Sequence, residues 1–539
     1  MTQTQKSFVK GAAILAVAGI IVKIIGACYR IPLARLIGDL GMGYYQQAYP
    51  IYATMVVIST AGLPTAISKL VSEKVAKNDF AGAHNTFVVA WRVLLILGIV
   101  MSVAMALLAQ PISMLQKSAP AVYSLLALSP ALFFVSMISA YRGYFQGLQY
   151  MVPTAVSQMV EQAGKLAFGL VLAYLIYAET GRPELGAMGA LLGVTISEVI
   201  ALFYMMAMYR RRKNEILAKI EDGPGGMASS QVKAMLIQIV AIAVPVTLGA
   251  LISPITQAID TVVVSRTLQG IGYTAEAATS TFGILNGYVN PLINLPAVLS
   301  LALAMSLVPT ISQSRAENDN AAVGMKSSFG FKLALLVGLP CALAFFLLAE
   351  PILNFLYDLS GAKLEMAVGL FQLLSIGVLF LTVIQTMTGV LQGLGKPFLP
   401  VISLGVGAVA KVVASIILIS NPAINVYGAA IGTLICYAIA AVMDVVFVVR
   451  RAKIRISPLN HVIKPVLATV AMGAVIYFVY RALGSHSNSL GVLAALLLGF
   501  VVYFLALVLI KGLTRDELEM VPGGGKLERV MVKLRIWKN

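Results

Sequence analysis

The chain has 539 residues, of which 59% are hydrophobic and only 11% are charged, and its mean hydropathy is +0.90. Soluble domains carry about a quarter charged residues, so this composition excludes a soluble globular protein and indicates an integral membrane protein. The apolar segments run for about twenty residues without strict alternation, which favours α-helical spans over a β-barrel. The net charge of +17 requires no nucleic-acid partner, because anionic headgroups at the inner leaflet account for it.

Apolar segments separated by short polar stretches predict about fourteen spanning helices. In chain order they cover residues 8–37, 44–76, 85–110, 119–145, 152–178, 186–210, 233–267, 278–313, 326–349, 363–391, 398–420, 425–449, 462–483 and 489–511. The first segment has no small-residue cleavage site after its apolar core, which predicts a retained helix rather than a signal peptide.

The distribution of cations predicts the orientation in the membrane. With a cytoplasmic N-terminus, 28 of the 39 Lys and Arg residues fall on the inner side, six on the outer side and five within the membrane. This bias follows the positive-inside rule. We therefore expect a multi-pass protein of the bacterial plasma membrane with both termini in the cytoplasm.

Internal repetition divides the chain into two parallel six-helix lobes. Gly143-Tyr-Phe-Gln-Gly-Leu148 recurs as Gly389-Val-Leu-Gln-Gly-Leu394, and Lys165 corresponds to Lys411 at the same offset. Such repeats are common in transporters, where two lobes enclose a central cavity. The predicted organisation is an N-lobe at 1–212, a basic linker at 213–232, a C-lobe at 233–453, two additional helices at 454–511 and a basic tail at 512–539. Residues 526–537 of the tail suggest an interfacial amphipathic helix.

Five cationic side chains are assigned to the membrane interior, whereas the other cations of the predicted spans are counted with the inner or the outer side. The five are Lys23, Arg30, Arg92, Lys165 and Lys411. A charge at bilayer depth costs at least about 2.5–3.5 kcal/mol, so such residues usually face a wet cavity on a substrate or ion path. A cationic cavity indicates an anionic substrate, although Arg92 is close enough to the inner end of its helix to reach the headgroups.

Acidic residues inside predicted spans are candidates for a coupling ion or proton. Glu161 lies four residues before Lys165, a spacing at which the two can form an ion pair on one helix face. Glu198 and Asp260 are the other two candidates, and each could equally be satisfied by a neighbouring helix. The coupling cation would be Na⁺ or H⁺, and no other cofactor is predicted.

Motifs for ATP hydrolysis and for enzymatic catalysis are missing from the sequence. It contains no GxxxxGK[ST] loop, no HExxH motif, no nucleophile elbow and no paired-cysteine metal site. Cys28, Cys341 and Cys436 fall within spans and are predicted to be small buried apolar residues. The chain is therefore predicted to be a transporter driven by an ion gradient or by the membrane potential, and not an enzyme.

Motifs in the first two predicted helices resemble a known family. Lys23-Ile-Ile-Gly-Ala-Cys-Tyr-Arg30-Ile-Pro-Leu-Ala-Arg35, Gly43-Tyr-Tyr-Gln46 and Gly283-Ile-Leu-Asn286-Gly-Tyr-Val-Asn290-Pro are similar to the polysaccharide-flippase branch of the multidrug/oligosaccharidyl-lipid/polysaccharide (MOP) exporter superfamily. More narrowly, they resemble the stage V sporulation protein B group, which includes the Gram-positive lipid II flippases. The resemblance implies a V-shaped fold of fourteen helices, a cationic cavity for a lipid-linked pyrophosphate, and a groove for the polyprenyl tail formed by the last two helices.

The resemblance also implies a set of residues around the headgroup. Together with the cations, the predicted headgroup site comprises Lys23, Arg30, Arg35, Gln46, Lys165, Asn286, Asn290 and Lys411. Gram-negative lipid II flippases carry arginines where this chain has Val56-Val57 and Asn290-Pro291-Leu292, and Lys165 and Lys411 would supply that charge here.

The predicted function is translocation of an undecaprenyl-pyrophosphate-linked saccharide, with lipid II as the first candidate. The expected partners are this lipid-linked substrate, membrane lipids and proteins of cell-wall synthesis. One alternative is a flippase for capsule or teichoic-type sugars, and another is a multidrug/cation antiporter of the same superfamily. A third alternative, a non-transporting scaffold, would leave the buried cations without a purpose.

Overall fold

The computed structural model describes residues 3–217, 229–357, 359–452, 454 and 457–512, which form helices joined by short turns. The predicted all-α membrane fold is confirmed. The first seven helices are α1 (Gln3–Thr60), α2 (Leu63–Ala76), α3 (Phe80–Leu115), α4 (Ala121–Gly147), α5 (Met151–Thr180), α6 (Pro183–Leu217) and α7 (Ser229–Gly270). The next are α8 (Ala275–Gly283), α9 (Asn290–Ile293), α10 (Leu295–Ala316), α11 (Asn320–Leu347), α12 (Ala349–Leu356), α13 (Gly361–Gly393), α14 (Phe398–Ile419), α15 (Tyr427–Ala452), α16 (Lys464–Leu483) and α17 (Asn488–Leu509), with π-helical turns at Ile284–Val289 and Leu459–Ile463.

The helices of the described part include thirteen stretches that are long and apolar enough to cross a membrane. The first stretch, Val17–Ala76, has 60 residues and would measure about 90 Å as a helix. Because a bilayer core is about 30 Å thick, this stretch is long enough for two crossings. The structure is thus consistent with about fourteen crossings, and the chain is a multi-pass membrane protein.

The predicted separation between the first two helices is a kink rather than a loop. α1 continues through both segments, and Gly38 alone leaves the helical region, with φ 68° and ψ −177°. Glycine adopts such a backbone readily because it has no Cβ. The predicted boundary was wrong because one glycine accommodates the bend, and the second predicted helix is interrupted instead at residues 61–62, before α2.

The predicted helix at 278–313 is broken into several pieces. A π-helical turn follows α8, and Pro291 and Pro296 lie in the first turns of α9 and α10. Proline has no backbone N–H and is tolerated in the first turn of a helix. A single continuous helix was therefore the wrong prediction for this segment.

The helices form two compact units with separate hydrophobic cores. The first unit extends to Tyr288 and also includes Ser415–Ala429, and the second comprises Val289–Ala414 and the described residues from Ala430 onward. The predicted lobes at 1–212 and 233–453 remain predictions, and most of the predicted linker lies outside the described residues.

In the second unit, α16 and α17 pack together, and α16 also packs on α11. The Tyr503 hydroxyl of α17 donates a hydrogen bond to the Leu336 carbonyl at 2.8 Å, and Gly473 of α16 lies against Leu343. These are the two helices predicted to guide the polyprenyl tail, a role that stays a prediction. The predicted amphipathic helix at 526–537 lies outside the described residues.

The three cysteines differ in burial. Cys436 is buried and Cys341 is partly buried, but Cys28 is exposed. The prediction of a buried residue was wrong for Cys28, because the apolar character of a segment does not determine which of its faces other helices cover.

The close approach of α5 and α6 positions the charged residues of the first unit. A Cβ at Gly193 would lie 2.3 Å from the Gly169 backbone, and a Cβ at Gly164 would lie 2.8 Å from the Ser197 side chain. Small residues allow membrane helices to approach closely. Because Gly164 precedes Lys165 and Ser197 precedes Glu198, this contact brings a lysine and a glutamate of two different helices into one region.

Candidate functional site

Lys165 is a buried cation in the membrane-spanning part of the first unit. Only 7% of this residue is exposed. Its Nζ lies 3.4 Å from the Tyr49 hydroxyl, 4.5 Å from the centre of the Tyr49 ring and 5.3 Å from the centre of the Tyr29 ring. The ammonium group is therefore held between aromatic rings of α1.

The tyrosines around Lys165 form a ladder along one face of α1. Tyr45, Tyr49 and Tyr52 are spaced by four and three residues, which places them on the same helix face. The Tyr45 and Tyr49 rings stack at 5.6 Å, and the Tyr49 and Tyr52 rings are 5.9 Å apart. The ladder was missed in the sequence, although the spacing of its tyrosines is visible there. We name Lys165 with Tyr29, Tyr45, Tyr49 and Tyr52 the lysine–tyrosine cluster.

The tyrosines offset part of the cost of burying Lys165. A desolvated cation–π interaction contributes about 2 kcal/mol, whereas a charge at bilayer depth costs at least about 2.5–3.5 kcal/mol. The aromatic contacts therefore do not offset the whole cost of burying the Lys165 charge, and a bound anion would stabilise it further.

Arg30 is a second cation close to Lys165. It is partly exposed and interacts electrostatically with Lys165 and with the neighbouring Tyr45. The structure thus brings together two of the predicted headgroup residues from α1 and α5. Lys23, two turns before Arg30, is exposed, and its predicted contribution to the same site stays a prediction.

Glu161 pairs with a different partner from the one predicted. Its carboxylate accepts from Arg142 of α4 at 2.9 Å, and Arg142 Nε also donates to the Ser157 hydroxyl at 2.9 Å. Lys165 instead points to Tyr49. Arg142 falls near the inner end of the predicted helix 119–145 and was counted with the cytoplasmic cations, but α4 directs its guanidinium group to α5.

Glu198 is a buried carboxyl group on α6. It is 3% exposed, and its Oε2 has no hydrogen-bond partner in the described part of the chain. It interacts electrostatically with Glu161, Arg142 and Lys165. Two acidic and two basic groups from three helices therefore share this region.

Comparison with known proteins establishes the family. A family model described as polysaccharide biosynthesis protein matches residues 8–315, which is more than half of the chain. The chain belongs to the polysaccharide biosynthesis protein family. A second family model, MatE, matches residues 245–417.

Individual relatives agree with this assignment. Stage V sporulation protein B of Bacillus subtilis (strain 168) is 26% identical over 535 residues, which cover 97% of this chain and 99% of that protein. The lipid II flippase MurJ of the same organism is 26% identical over 453 residues, or 82% of each chain. The solved structure of a lipid II flippase MurJ in an inward closed conformation has a TM-score of 0.64 at 17% identity, and the match covers 92% of this chain and 98% of that one. The resemblance predicted from the sequence is confirmed, and the solved structure shows that the fold is shared.

Other predicted site residues of this polysaccharide biosynthesis family member have different environments. Gln46 is 4% exposed, and its amide nitrogen donates to the main-chain oxygen of Asn286 at 2.7 Å. Asn290 begins α9, where its main-chain oxygen accepts from the Asn294 side chain at 2.7 Å. The structure therefore joins Gln46 and Asn286 through a contact within the protein, and their predicted contact with the headgroup stays untested.

The remaining candidates lie outside the lysine–tyrosine cluster. Arg35 is exposed on α1, whereas Asp260 on α7 and Lys411 on α14 are partly exposed. Lys411 belongs to the second unit, and its predicted position opposite Lys165 stays a prediction. The sequence also missed Lys332 of α11, which was counted with the cytoplasmic cations and which is 1% exposed.

A buried hydrogen-bond network joins α1, α3, α7 and α8 in this family member. Gln47 donates to the hydroxyls of Ser265 at 3.2 Å and of Thr279 at 3.3 Å. Gln116, directly after α3, donates to the Gln47 carbonyl and to the Thr261 hydroxyl, both at 2.9 Å. All five residues are buried. The network gives α1 specific polar contacts to helices that the sequence assigned to the other lobe.

Proposed function

We propose that this protein is a flippase that moves an undecaprenyl-pyrophosphate-linked saccharide from the inner to the outer leaflet, with lipid II as the first candidate. The observation that carries the proposal is the buried ammonium group of Lys165 beside Arg30 in a membrane-spanning region. Membership of the polysaccharide biosynthesis protein family supports the same substrate class.

The chemistry of the two cations suits a pyrophosphate. An arginine guanidinium group binds phosphate oxygens as a planar fork, whereas lysine supplies a compact charge that can follow a moving ligand. In the proposed site, Lys165 and Arg30 hold the pyrophosphate, with Lys23 as a further contact, and Lys411 stays a candidate from the sequence. The lipid tail stays in the membrane beside α16 and α17 while the headgroup crosses by alternating access.

The membrane potential can contribute to the driving force. Moving one elementary charge across a potential of 100 mV changes the free energy by about 2.3 kcal/mol. A pyrophosphate with two negative charges moving outward from a negative interior would therefore gain about 5 kcal/mol. A Na⁺ or H⁺ gradient could return the empty carrier.

Two relatives bear on the identity of the saccharide. One relative over most of the chain is a lipid II flippase, and another is stage V sporulation protein B. These relationships support lipid II, and a capsule or teichoic-type precursor is the alternative with the same headgroup chemistry. The MatE match keeps the multidrug/cation antiporter as a second alternative, but the buried cations favour an anionic substrate over a cationic one.

Exposure of lipid II on the outer face of cells depleted of their own flippase tests the proposal. The cells would express the wild type, Lys165→Gln, Lys165→Arg, or the double variant Lys165→Gln with Lys411→Gln. Lys69→Gln is the matched control, since Lys69 is 59% exposed and pairs with Glu73 on the surface of α2. We expect rescue by the wild type and the control, partial rescue by Lys165→Arg, and failure of the two Gln variants despite normal insertion.

Each contrary outcome identifies the part of the proposal that fails. If the wild type inserts normally but does not expose lipid II, lipid II is not the cargo and another polyprenyl-linked glycan becomes the leading candidate. If both Gln variants expose lipid II as well as the wild type does, Lys165 does not belong to the substrate-binding site.

A further inference from the structure

We propose that Glu198 is a proton-binding site that competes with the anionic headgroup for Lys165. When Glu198 is protonated, the Lys165 ammonium group is available to the substrate. When Glu198 is ionised, its carboxylate attracts the same ammonium group and competes with the substrate. The competition with the headgroup rests on the proposed function, whereas the proton site rests on the charges within the protein.

The environment of Glu198 disfavours its ionised form. The residue is 3% exposed, and Oε2 has no hydrogen-bond partner in the described ranges. Burial and an oxygen without such a partner make the carboxylate costly, the neighbouring Glu161 charge adds repulsion, and a buried acid can avoid this cost by binding a proton. The step requires only a proton from water, which converts the carboxylate to the neutral acid.

The helices packed against α6 supply the charged and titratable groups that face Glu198. α4 contributes Arg142, α5 contributes Glu161 and Lys165, and α1 contributes Tyr52. Arg142 is already bound to Glu161 and to the Ser157 hydroxyl. Lys165 is therefore the one basic group of this set without a carboxylate partner within ion-pair distance.

Lys165 couples the proton to the headgroup. Its Nζ lies against the Tyr29 and Tyr49 rings and has no ion pair within the described residues, so an ionised Glu198 and a pyrophosphate would compete for it. By linkage, headgroup binding favours protonation of Glu198, and loss of the proton favours release of the headgroup. A dianionic headgroup carried with one proton still moves net negative charge outward, which is the direction that a negative interior favours.

Infrared difference spectroscopy of the purified protein tests the proton site without a ligand. We expect a protonated-carboxyl band in the wild type at neutral pH that is lost in Glu198→Gln. Glu73→Gln is the control, because Glu73 is 54% exposed, and it should leave the band unchanged. A band that Glu198→Gln does not alter would overturn the proposal.

The effect of Lys165 on this band tests the coupling, also without a ligand. In Lys165→Gln, the band should persist to higher pH than in the wild type, because the ionised Glu198 has lost the favourable interaction with the Lys165 charge. Lys165→Arg should restore the wild-type titration. An identical titration in the wild type and in Lys165→Gln would show that the two groups are not coupled.

Binding of lipid II at several pH values then connects the proton to the proposed cargo. Wild-type affinity should fall as pH rises through the range in which the band disappears, while Glu198→Gln should bind with an affinity independent of pH. Constant wild-type affinity across that range would overturn the competition. If the wild type does not bind lipid II at any pH but the band behaves as expected, the cargo assignment fails and the proton site stands.

Discussion

Gly43 of α1 lies directly against Thr279 of α8, such that a Cβ at position 43 would fall 2.2 Å from the Thr279 carbonyl oxygen. The two residues are close because position 43 has no side chain. Around this contact, Asp39 accepts a hydrogen bond from the Ser280 hydroxyl, and Tyr288 donates to the Ala34 carbonyl at 2.9 Å. α1 and α8 thus pack closely against each other and are also linked by hydrogen bonds.

Gly43→Ala is expected to loosen this contact, because a main-chain oxygen cannot move aside as a flexible side chain can. Overpacking of this kind costs about 1–3 kcal/mol, which should appear as a lower unfolding temperature of the purified protein in detergent. Gly19→Ala, also in α1, is the control, since a Cβ there has no other atom within 4 Å. Equal unfolding temperatures for the two variants would contradict the contact.

Replacing Gln47 or Gln116 with leucine should destabilise the protein, because each substitution removes two hydrogen bonds that the side-chain amide donates to buried oxygens. The expected loss is about 1–3 kcal/mol for either variant. The double variant should lose less than the sum, since the two side chains belong to one network. Denaturant unfolding measures the effect, with Gln110→Leu at an exposed position of α3 as the control; strict additivity would show that the network is not coupled.

Breaking the Arg142–Glu161 pair should destabilise the first unit more when one partner remains than when both are replaced. Arg142→Gln leaves a carboxylate in a largely buried environment, whereas Arg142→Gln with Glu161→Gln leaves two neutral amides. The side chains are 15% and 22% exposed, so we expect a loss of about 1–3 kcal/mol for the single variants. A double-mutant cycle of unfolding free energies measures the coupling, and a coupling energy near zero would show that the pair contributes nothing.

Tyr49 should control the accessibility of the Lys165 ammonium group. Tyr49→Phe keeps the aromatic ring over the Nζ and removes only the hydroxyl contact, whereas Tyr49→Leu removes both. Labelling of Lys165 by a membrane-permeant amine reagent, quantified by mass spectrometry, should rise several-fold in Tyr49→Leu and only slightly in Tyr49→Phe. Labelling of exposed Lys69 in the same samples provides the control, and unchanged labelling of Lys165 in Tyr49→Leu would contradict shielding by the ring.

Several features of the site could be predicted from local sequence because they depend on one segment. Lys165 and Glu198 stand out as charged residues in long apolar runs, and Arg30 lies in a motif with a family resemblance. The close approach of α5 to α6 also depends on local sequence, because Gly169 and Gly193 are the small residues that permit it.

Other features required the packing of distant segments. The Glu161 partner comes from α4, the aromatic rings around Lys165 come from α1, and the side chains that bind Gln47 come from α7 and α8. The spacing of Glu161 and Lys165 permits an ion pair, but spacing does not reveal that Arg142 also reaches the same carboxylate. In the same way, the hydropathy of residues 44–76 does not reveal that Ala61-Gly62 interrupts the helix.

The sequence by itself determined that this protein crosses the membrane many times as helices, because lipid requires apolar side chains and internally satisfied backbone groups along each span. It also determined which ionisable groups lie in those spans. The tertiary structure alone decided which of these groups meet, because partners for a buried charge come from other helices whose rotation and depth are set by packing. Lys165 therefore faces tyrosines, Glu161 binds Arg142, and Glu198 retains an oxygen without a hydrogen-bond partner in the described part of the chain.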